Sequence, residues 1–276
     1  MASIGDTQTS VLKQDVIVEI AQRQLIQSTQ LLPSIYDVSR FGVAGAGKAS
    51  FPKAGAFTVG KMALPEDTEC AVPQSLVYAE DELIFDQHAF VCWSIKDKAQ
   101  LQASLNVQID AAQRAAKAHA ADLDKVIYEA LEASATAVTA TGDMLTKIFK
   151  LRAALKNNKV PMDGSVFAAI NPDQELELLT SASNVIIDAS KYGSQTPLLT
   201  GEVGMIGGVR ILVTTSADNA NGPVVYHREA LAVGFQMGAR LQSEYSVKCL
   251  ETTYNMDQIY GYKSLLGGLA AVKVAP

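Results

Sequence analysis

The longest regular pattern of hydrophobic residues runs from Asp97 to about Ala135, a stretch without glycine or proline. Apolar residues recur there every three or four positions, as the buried face of an amphipathic helix requires. They are Leu101, Leu105, Ile109, Ala112, Ala116, Leu123, Ile127 and Leu131. At 1.5 Å per residue such a helix is about 55 Å long. Because this outspans a small domain, we expect the helix to be a backbone on which other elements are arranged.

Two shorter patterns also predict helices. Between residues 11 and 32, apolar residues recur at near-helical spacing until Pro33 ends the pattern, which indicates an amphipathic helix on an N-terminal arm. A further helix is predicted to begin after Thr141 or Asp143, either of which suits the N-cap, and to end before Pro161.

The rest of the chain is patterned mainly for strands. Glycine and proline punctuate residues 42–78, which predicts an extended, hairpin-like loop, and the aromatic and β-branched residues of 83–95 predict a strand. Short strands and helices alternate over 161–224 and indicate a compact α/β unit. Residues 227–239 fit helix or strand, and the alternation from 241 to 274 predicts an antiparallel sheet against the long helix. The predicted fold class is α+β.

Composition and charge exclude several classes of protein. The chain has 276 residues, of which 48% are hydrophobic and 19% charged, as in a folded protein. Its net charge of -6, with no apparent cluster of Lys and Arg, argues against a dedicated nucleic-acid binder. The N-terminus MASIGDTQTS does not read as a secretory signal and the apolar runs are too short for a bilayer, so we expect no membrane association. Three widely spaced cysteines suit free thiols.

The stretch FGVAGAGKAS at residues 41–50 has the glycine and lysine spacing of a phosphate-binding loop. That motif needs Ser or Thr after the lysine to bind Mg²⁺, but Ala49 follows Lys48. It also needs a helix next, which Pro52 disfavours. We therefore interpret these glycines as flexible loop residues.

Other candidate sites are equally weak. An acidic group with one histidine fits no standard metal-ligand spacing and is better explained as a solvated strand edge; its members are Glu80, Asp81, Glu82, Asp86 and His88. We expect His119 and His227 to be surface or interface residues, because neither belongs to a catalytic motif. The sequence thus predicts no enzyme, no cofactor and no metal site.

Taken in chain order, these elements resemble the major capsid protein of tailed bacteriophages, which has the Hong Kong 97-type fold. VLKQDVIVEIAQRQLIQSTQLLPSI resembles its N-arm helix, DLDKVIYEAL its spine helix, NNKVPMDGSVFAAINP and GEVGMIGGVRILVTTS its axial (A) domain, and PVVYHREALAVGFQ the return to its peripheral (P) domain. The implied divisions are an N-terminal arm (1–41), an E-loop (42–90), a P domain with the spine helix (91–150), an A domain (151–224) and the returning P-domain sheet (225–276).

The resemblance implies a structural protein whose copies form pentamers and hexamers and close an icosahedral shell around double-stranded DNA. Further implied partners are portal, scaffolding and decoration proteins, with DNA held without sequence specificity, in a virion capsid assembled in the host cytoplasm. Since only a short segment precedes the arm, scaffolding would come from a separate protein. The residues implied at subunit interfaces are Leu12, Val16, Ile20 and Leu25 on the arm, Gly42, Gly45 and Gly47 as hinges, and Lys48.

Three alternatives remain open at this point. An encapsulin-like nanocompartment shell would share the fold, an enzyme would use the α/β unit of 161–224, and a tail or filament protein would use the alanine-rich helix. For the capsid interpretation, deleting residues 1–40 should leave a soluble subunit that does not close shells, because we expect the arm to bury apolar area only between subunits.

Overall fold

The computed structural model describes residues 29–41, 47–54, 75, 78–102, 107–181, 202–217, 222–266 and 269–275, together with Arg23. It is a mixed structure of helices and strands, as predicted. The helices are α1 (Asp97–Gln102), α2 (Val107–Ser134), α3 (Met144–Asn157) and α4 (Pro172–Ser181). The strands are β1 (Tyr36–Asp37), β2 (Lys48–Ala54), β3 (Tyr78–Ile84), β4 (Gln87–Lys96), β5 (Thr136–Val138), β6 (Val166–Ile170), β7 (Glu202–Ile206), β8 (Val209–Val213), β9 (Val224–His227), β10 (Leu231–Ser246), β11 (Glu251–Ser264) and β12 (Ala271–Val274).

The predicted long helix appears as α1 and α2, and the residues between them, 103–106, lie outside the described part. Helix α2 alone has 28 residues, or about 42 Å of helix. The predicted apolar face is confirmed, since Leu123, Ile127 and Leu131 are all fully buried. None of the described helices is long and apolar enough to cross a membrane.

A four-stranded sheet in the order β1-β10-β11-β4 lies against the first half of α2. Strands β10 and β11 form a long antiparallel hairpin, and β4 pairs antiparallel with β11. Ala112 and Ala116 of α2 pack with Ala239 and Met256, because small side chains let the helix approach the sheet closely. The segment 227–239, which the sequence left open, is a 3-10 turn (Arg228–Ala230) followed by strand.

A six-stranded sheet in the order β5-β12-β9-β6-β8-β7 lies between α2 and α3. Successive residues of β6 face opposite ways, as the pleat requires. Ala169 packs in the cluster that contains Leu131 of α2, whereas Ala168 packs with Leu151 of α3. The domain divisions stay a prediction. Residues 225–276 were predicted to form one returning sheet, but β12 from this range lies in the six-stranded sheet, whereas β10 and β11 lie in the four-stranded sheet.

The strand predicted over 83–95 is divided into two. Strand β3 ends at Ile84 and pairs with β2, whereas β4 begins at Gln87 and pairs with β11. The division at Phe85 and Asp86 is the point where the chain passes from the β2–β3 hairpin into the four-stranded sheet. Both halves carry strand patterns, so the sequence alone did not reveal the division.

The described end of the N-terminal arm belongs to the core of its own chain. Leu31 and Ile35 are buried in the main cluster with α2, and Val38 is buried beside Leu83. The expectation that the arm buries apolar area only between subunits is therefore wrong for residues 29–38. The predicted arm helix otherwise falls on residues outside the described part, Arg23 excepted.

Candidate functional site

The base of the β2–β3 hairpin packs on the four-stranded sheet. Alternate residues of the hairpin point inward, so Ala49 and Leu83 are fully buried and Phe85, just beyond β3, is nearly so. The opposite face carries Glu80, Glu82 and Ile84, and the Ile84 side chain is 62% exposed. This apolar residue on an acidic face has no partner within the described core clusters.

Two glycines make room for the hairpin. Gly234 of β10 and Gly261 of β11 are directly paired across the sheet. A Cβ at position 261 would stand 2.1 Å from the Ile84 carbonyl oxygen, and one at position 234 would stand 3.2 Å from the Phe85 ring. An ion pair between Lys263 of β11 and Asp81 of β3 also fastens the root. The hairpin is thus held at its base by close backbone packing and by charge.

The predicted hinge and lysine lie at this base. The Gly47 carbonyl accepts a hydrogen bond from the Phe85 N–H at 3.0 Å. Lys48 donates through Nζ to Glu82, a bond that raises the pKa of Lys48. Hinge and interface roles for these two residues stay predictions. The other predicted interface residues lie outside the described part; they are Leu12, Val16, Ile20, Leu25, Gly42 and Gly45.

The arm is anchored where it meets α2. The buried carboxylate of Asp124 accepts hydrogen bonds from the backbone N–H groups of Gln30 at 2.8 Å and Leu31 at 3.1 Å. Burial raises the pKa of Asp124, and the two hydrogen bonds oppose that rise. Ser34 and Tyr226 share a buried hydrogen bond of 2.6 Å between their hydroxyls, and burial raises the pKa of the Tyr226 phenol. No local pattern in the sequence indicates either anchor, since each joins residues more than ninety positions apart.

A charged cluster ties three strands together on the outer face of the four-stranded sheet. Asp257 of β11 is 1% exposed and accepts two hydrogen bonds from Arg240 of β10, at 2.8 and 2.9 Å. His88 of β4 lies 3.1 Å from the same carboxylate. The bonds from Arg240, with a smaller effect of His88, hold the pKa of Asp257 below its usual range. His88 is therefore a partner of Asp257 in this structure.

The two other histidines are buried, so the prediction that they are surface or interface residues was wrong. His119 lies on the face of α2 that packs on β11, where its Nε2 is 3.0 Å from the Met256 carbonyl. His227 ends β9, and its Nδ1 accepts a hydrogen bond from the Glu229 N–H. Among the described residues, no three His, Cys, Asp or Glu side chains are arranged to hold a metal ion.

Helix α3 and the turn after it form a basic segment. Between residues 144 and 162 the chain has five basic residues and no acidic one; they are Lys147, Lys150, Arg152, Lys156 and Lys159. Within the described part, none of them forms an ion pair. The Phe149 side chain lies among them and is 38% exposed. The expectation that the chain has no cluster of Lys and Arg is therefore wrong at this helix. The negative net charge of the whole chain does not show this local group of basic residues.

Comparison with known proteins gives a family and a fold. The profile of a family described as phage capsid protein matches residues 93–269, more than half of the chain. A solved structure of Mycobacterium phage Che8 is 18% identical, with a TM-score of 0.70 over 89% of this chain and 90% of that one. The capsid structure of cyanophage P-SCSP1u is 14% identical, with a TM-score of 0.64 over 87% and 86%. A virus-like particle from Pyrococcus furiosus is 10% identical, with a TM-score of 0.62 over 95% and 99%. No curated protein matches the chain in sequence.

Proposed function

The chain belongs to the phage capsid protein family, and from that premise we propose that its copies join as pentamers and hexamers and close an icosahedral shell around double-stranded DNA. It is a structural coat protein with the Hong Kong 97-type fold, located in the virion capsid and built to associate with copies of itself.

The β2–β3 hairpin is the observation that carries this proposal. A two-stranded sheet is marginally stable in water unless it packs on something else. Here the root packs on Gly234 and Gly261, but the outer face leaves Ile84 exposed. A hairpin of this kind gains stability when its free face is covered by another copy, which favours a subunit that is completed by assembly.

Within that assembly we assign the two sheets to two domains. The four-stranded sheet and the first part of α2 correspond to the P domain, and the six-stranded sheet with α3 and α4 corresponds to the A domain. The β2–β3 hairpin corresponds to the base of the E-loop. We also assign contacts with neighbouring copies to the residues that precede the anchor at Asp124.

The charge on α2 supports a shell that contains DNA without holding it tightly. The exposed acidic residues on this helix are equal in number to the exposed basic ones; they are Asp110, Asp122 and Glu129 against Arg114, Lys117 and Lys125. Two ion pairs, Asp110–Arg114 and Lys125–Glu129, neutralise the surface further. A neutral surface gives little sequence-independent attraction for phosphates, which suits DNA that is packaged through a portal.

We further propose that the chain has no enzymatic role, that it assembles in the host cytoplasm, and that scaffolding and decoration proteins are separate chains. The encapsulin-like alternative has less support, because the matching family profile is that of phage capsid proteins. Likeness to the Pyrococcus furiosus particle at 10% identity concerns the fold alone.

The contents of isolated particles test this function. Shells of a phage coat should contain long double-stranded DNA that nuclease added outside does not digest. Shells that instead enclose a defined protein cargo and no nuclease-protected DNA would favour the cellular nanocompartment over the virus.

A further inference from the structure

The basic segment of α3 forms no ion pair with the described residues, although the Lys150 ammonium donates a hydrogen bond to the Thr141 carbonyl at 2.9 Å. Lys150 and Lys156 are exposed on either side of Phe149, and Lys159 follows in the turn after the helix. The opposite face of α3 is apolar and covers the six-stranded sheet through Leu151 and Leu155. We name the exposed set of Lys150, Phe149, Lys156 and Lys159 the basic surface.

The outer face of the β2–β3 hairpin has the complementary character. Residues 80, 82 and 84 share a face because side chains alternate along a strand, and Asp86 follows at the end of the hairpin. This acidic surface consists of Glu80, Glu82, Ile84 and Asp86. Lys48 neutralises Glu82, which leaves Glu80 and Asp86 as its principal negative charges around the exposed Ile84.

The two surfaces belong to different parts of the chain. The basic surface lies on the helix that covers the six-stranded sheet, and the acidic surface lies on the hairpin rooted on the four-stranded sheet. Two complementary surfaces at different places on one subunit produce a head-to-tail contact between copies. The contact repeats from copy to copy, and the copies close into a ring when the rotation between neighbours divides a full turn evenly. Rings of this kind are what the proposed function requires.

We propose that the acidic surface of one copy docks on the basic surface of the next, with Ile84 and Phe149 meeting at the centre and Glu80 and Asp86 facing Lys150 and Lys156. This inference rests on the proposed function and names the partner of its hairpin. The exposed aromatic ring favours a protein partner over DNA, because phosphate contacts need basic groups and gain little from a Phe side chain. Opposite charges around an apolar centre also fix the orientation and register in which two copies associate.

Charge reversal with matched net charge tests the pairing. The basic-surface variant combines Lys150→Glu with Lys156→Glu, and the acidic-surface variant combines Glu80→Lys with Asp86→Lys. The first makes the net charge of -6 more negative by four units and the second makes it less negative by four, so the combined variant regains -6. The control combines the acidic-surface variant with Lys117→Glu and Lys125→Glu on α2, which also regains -6 without restoring the proposed pairs.

Particles are counted by electron microscopy and by sedimentation, and the melting temperature of each subunit verifies folding. Each surface variant alone should give particles reduced by roughly tenfold or more, because like charges then face each other. The combined variant should recover most of the yield, and the α2 control should not. Equal recovery by the α2 control would overturn the pairing, since net charge alone would then explain the result.

A cross-link provides a second measurement. In chains whose native cysteines, Cys70, Cys92 and Cys249, are replaced by serine, mixing a copy that carries Ile84→Cys with one that carries Phe149→Cys should give a disulfide-linked pair, which neither variant gives by itself. If copies that assemble as well as the wild type give no linked pair, the proposed contact is wrong.

If the basic-surface variant assembles normally but loses affinity for a short DNA duplex, the surface serves nucleic acid and the inference is wrong. A wild-type chain that forms no rings or shells at all would contradict the proposed function, and the docking with it.

Discussion

Gly261 lies directly beneath the backbone carbonyl of Ile84, so closely that a Cβ atom at position 261 would stand 2.1 Å from that oxygen. The contact joins the four-stranded sheet to the base of the β2–β3 hairpin. Because a carbonyl group of the backbone cannot turn aside as a flexible side chain can, any residue larger than glycine must displace the hairpin or the strand.

Gly261→Ala should therefore destabilise the subunit by about 1–3 kcal/mol, the usual cost of overpacking. Thermal and urea unfolding measure the change. Gly238→Ala is the matched control, because a Cβ there meets nothing within 4 Å, and we expect it to leave stability nearly unchanged. Equal stability of the two variants would show that the hairpin does not rest on Gly261.

Asp124→Ala should release the end of the arm from α2. The substitution removes the acceptor of two N–H groups: that of Leu31, which is buried and costs about 1–3 kcal/mol when unsatisfied, and that of Gln30, which is partly exposed and costs less. Removing the desolvated charge offsets part of this loss. Urea unfolding measures it against Asp122→Ala, which removes an exposed acid from the same helix. If both variants unfold at the same urea concentration, the anchor contributes nothing to stability.

The depressed pKa of Asp257 makes its contribution depend on pH in a definite direction. An acid whose pKa is lowered in the folded state stabilises the fold above its unfolded pKa, about 3.9 for Asp, and loses that stabilisation as the pH falls through the lower folded value. Asp257→Asn should thus be less stable than the wild type at pH 5, by a margin that shrinks at pH 3. A margin that grows on acidification would contradict the ion pair with Arg240. Asp86→Asn, at an exposed position, controls for general acid effects.

Two truncations separate the arm from the core. Removing residues 1–28 should leave a folded subunit that fails to close shells, because the buried residues from Leu31 onward remain. Removing 1–40 deletes Leu31, Ile35 and Val38 from the core and should cost more than about 5 kcal/mol, since each such side chain contributes about 2–5 kcal/mol. Circular dichroism and electron microscopy follow folding and assembly. Normal shells from the shorter truncation would show that the arm is not needed between subunits.

How far the sequence predicts the structure depends on the range of the interaction. The buried face of α2 and the end of α3 before Pro161 follow from local periodicity and helix-breaking residues, and both predictions are confirmed. The division between β3 and β4 depends on a change of pairing partner, which no local pattern records.

The interactions that fix the candidate surfaces are mostly long-range. Gly234 and Gly261 come together only through the register of β10 and β11, and Asp257 meets His88 across 169 positions of chain. The basic segment of α3 is different, since it is visible in the sequence as five basic residues without an acidic one. The net charge of the whole chain, which is negative, does not show this local basic segment.

Electron microscopy of the purified chain, expressed alone and then with the proposed scaffolding protein, tests the central claim most directly. A coat protein of this family should give closed polyhedral shells, or rings of five and six copies, in at least one of the two preparations. A small particle of uniform size in both, at concentrations where shells are expected, would contradict the assignment of this chain as a shell-forming subunit.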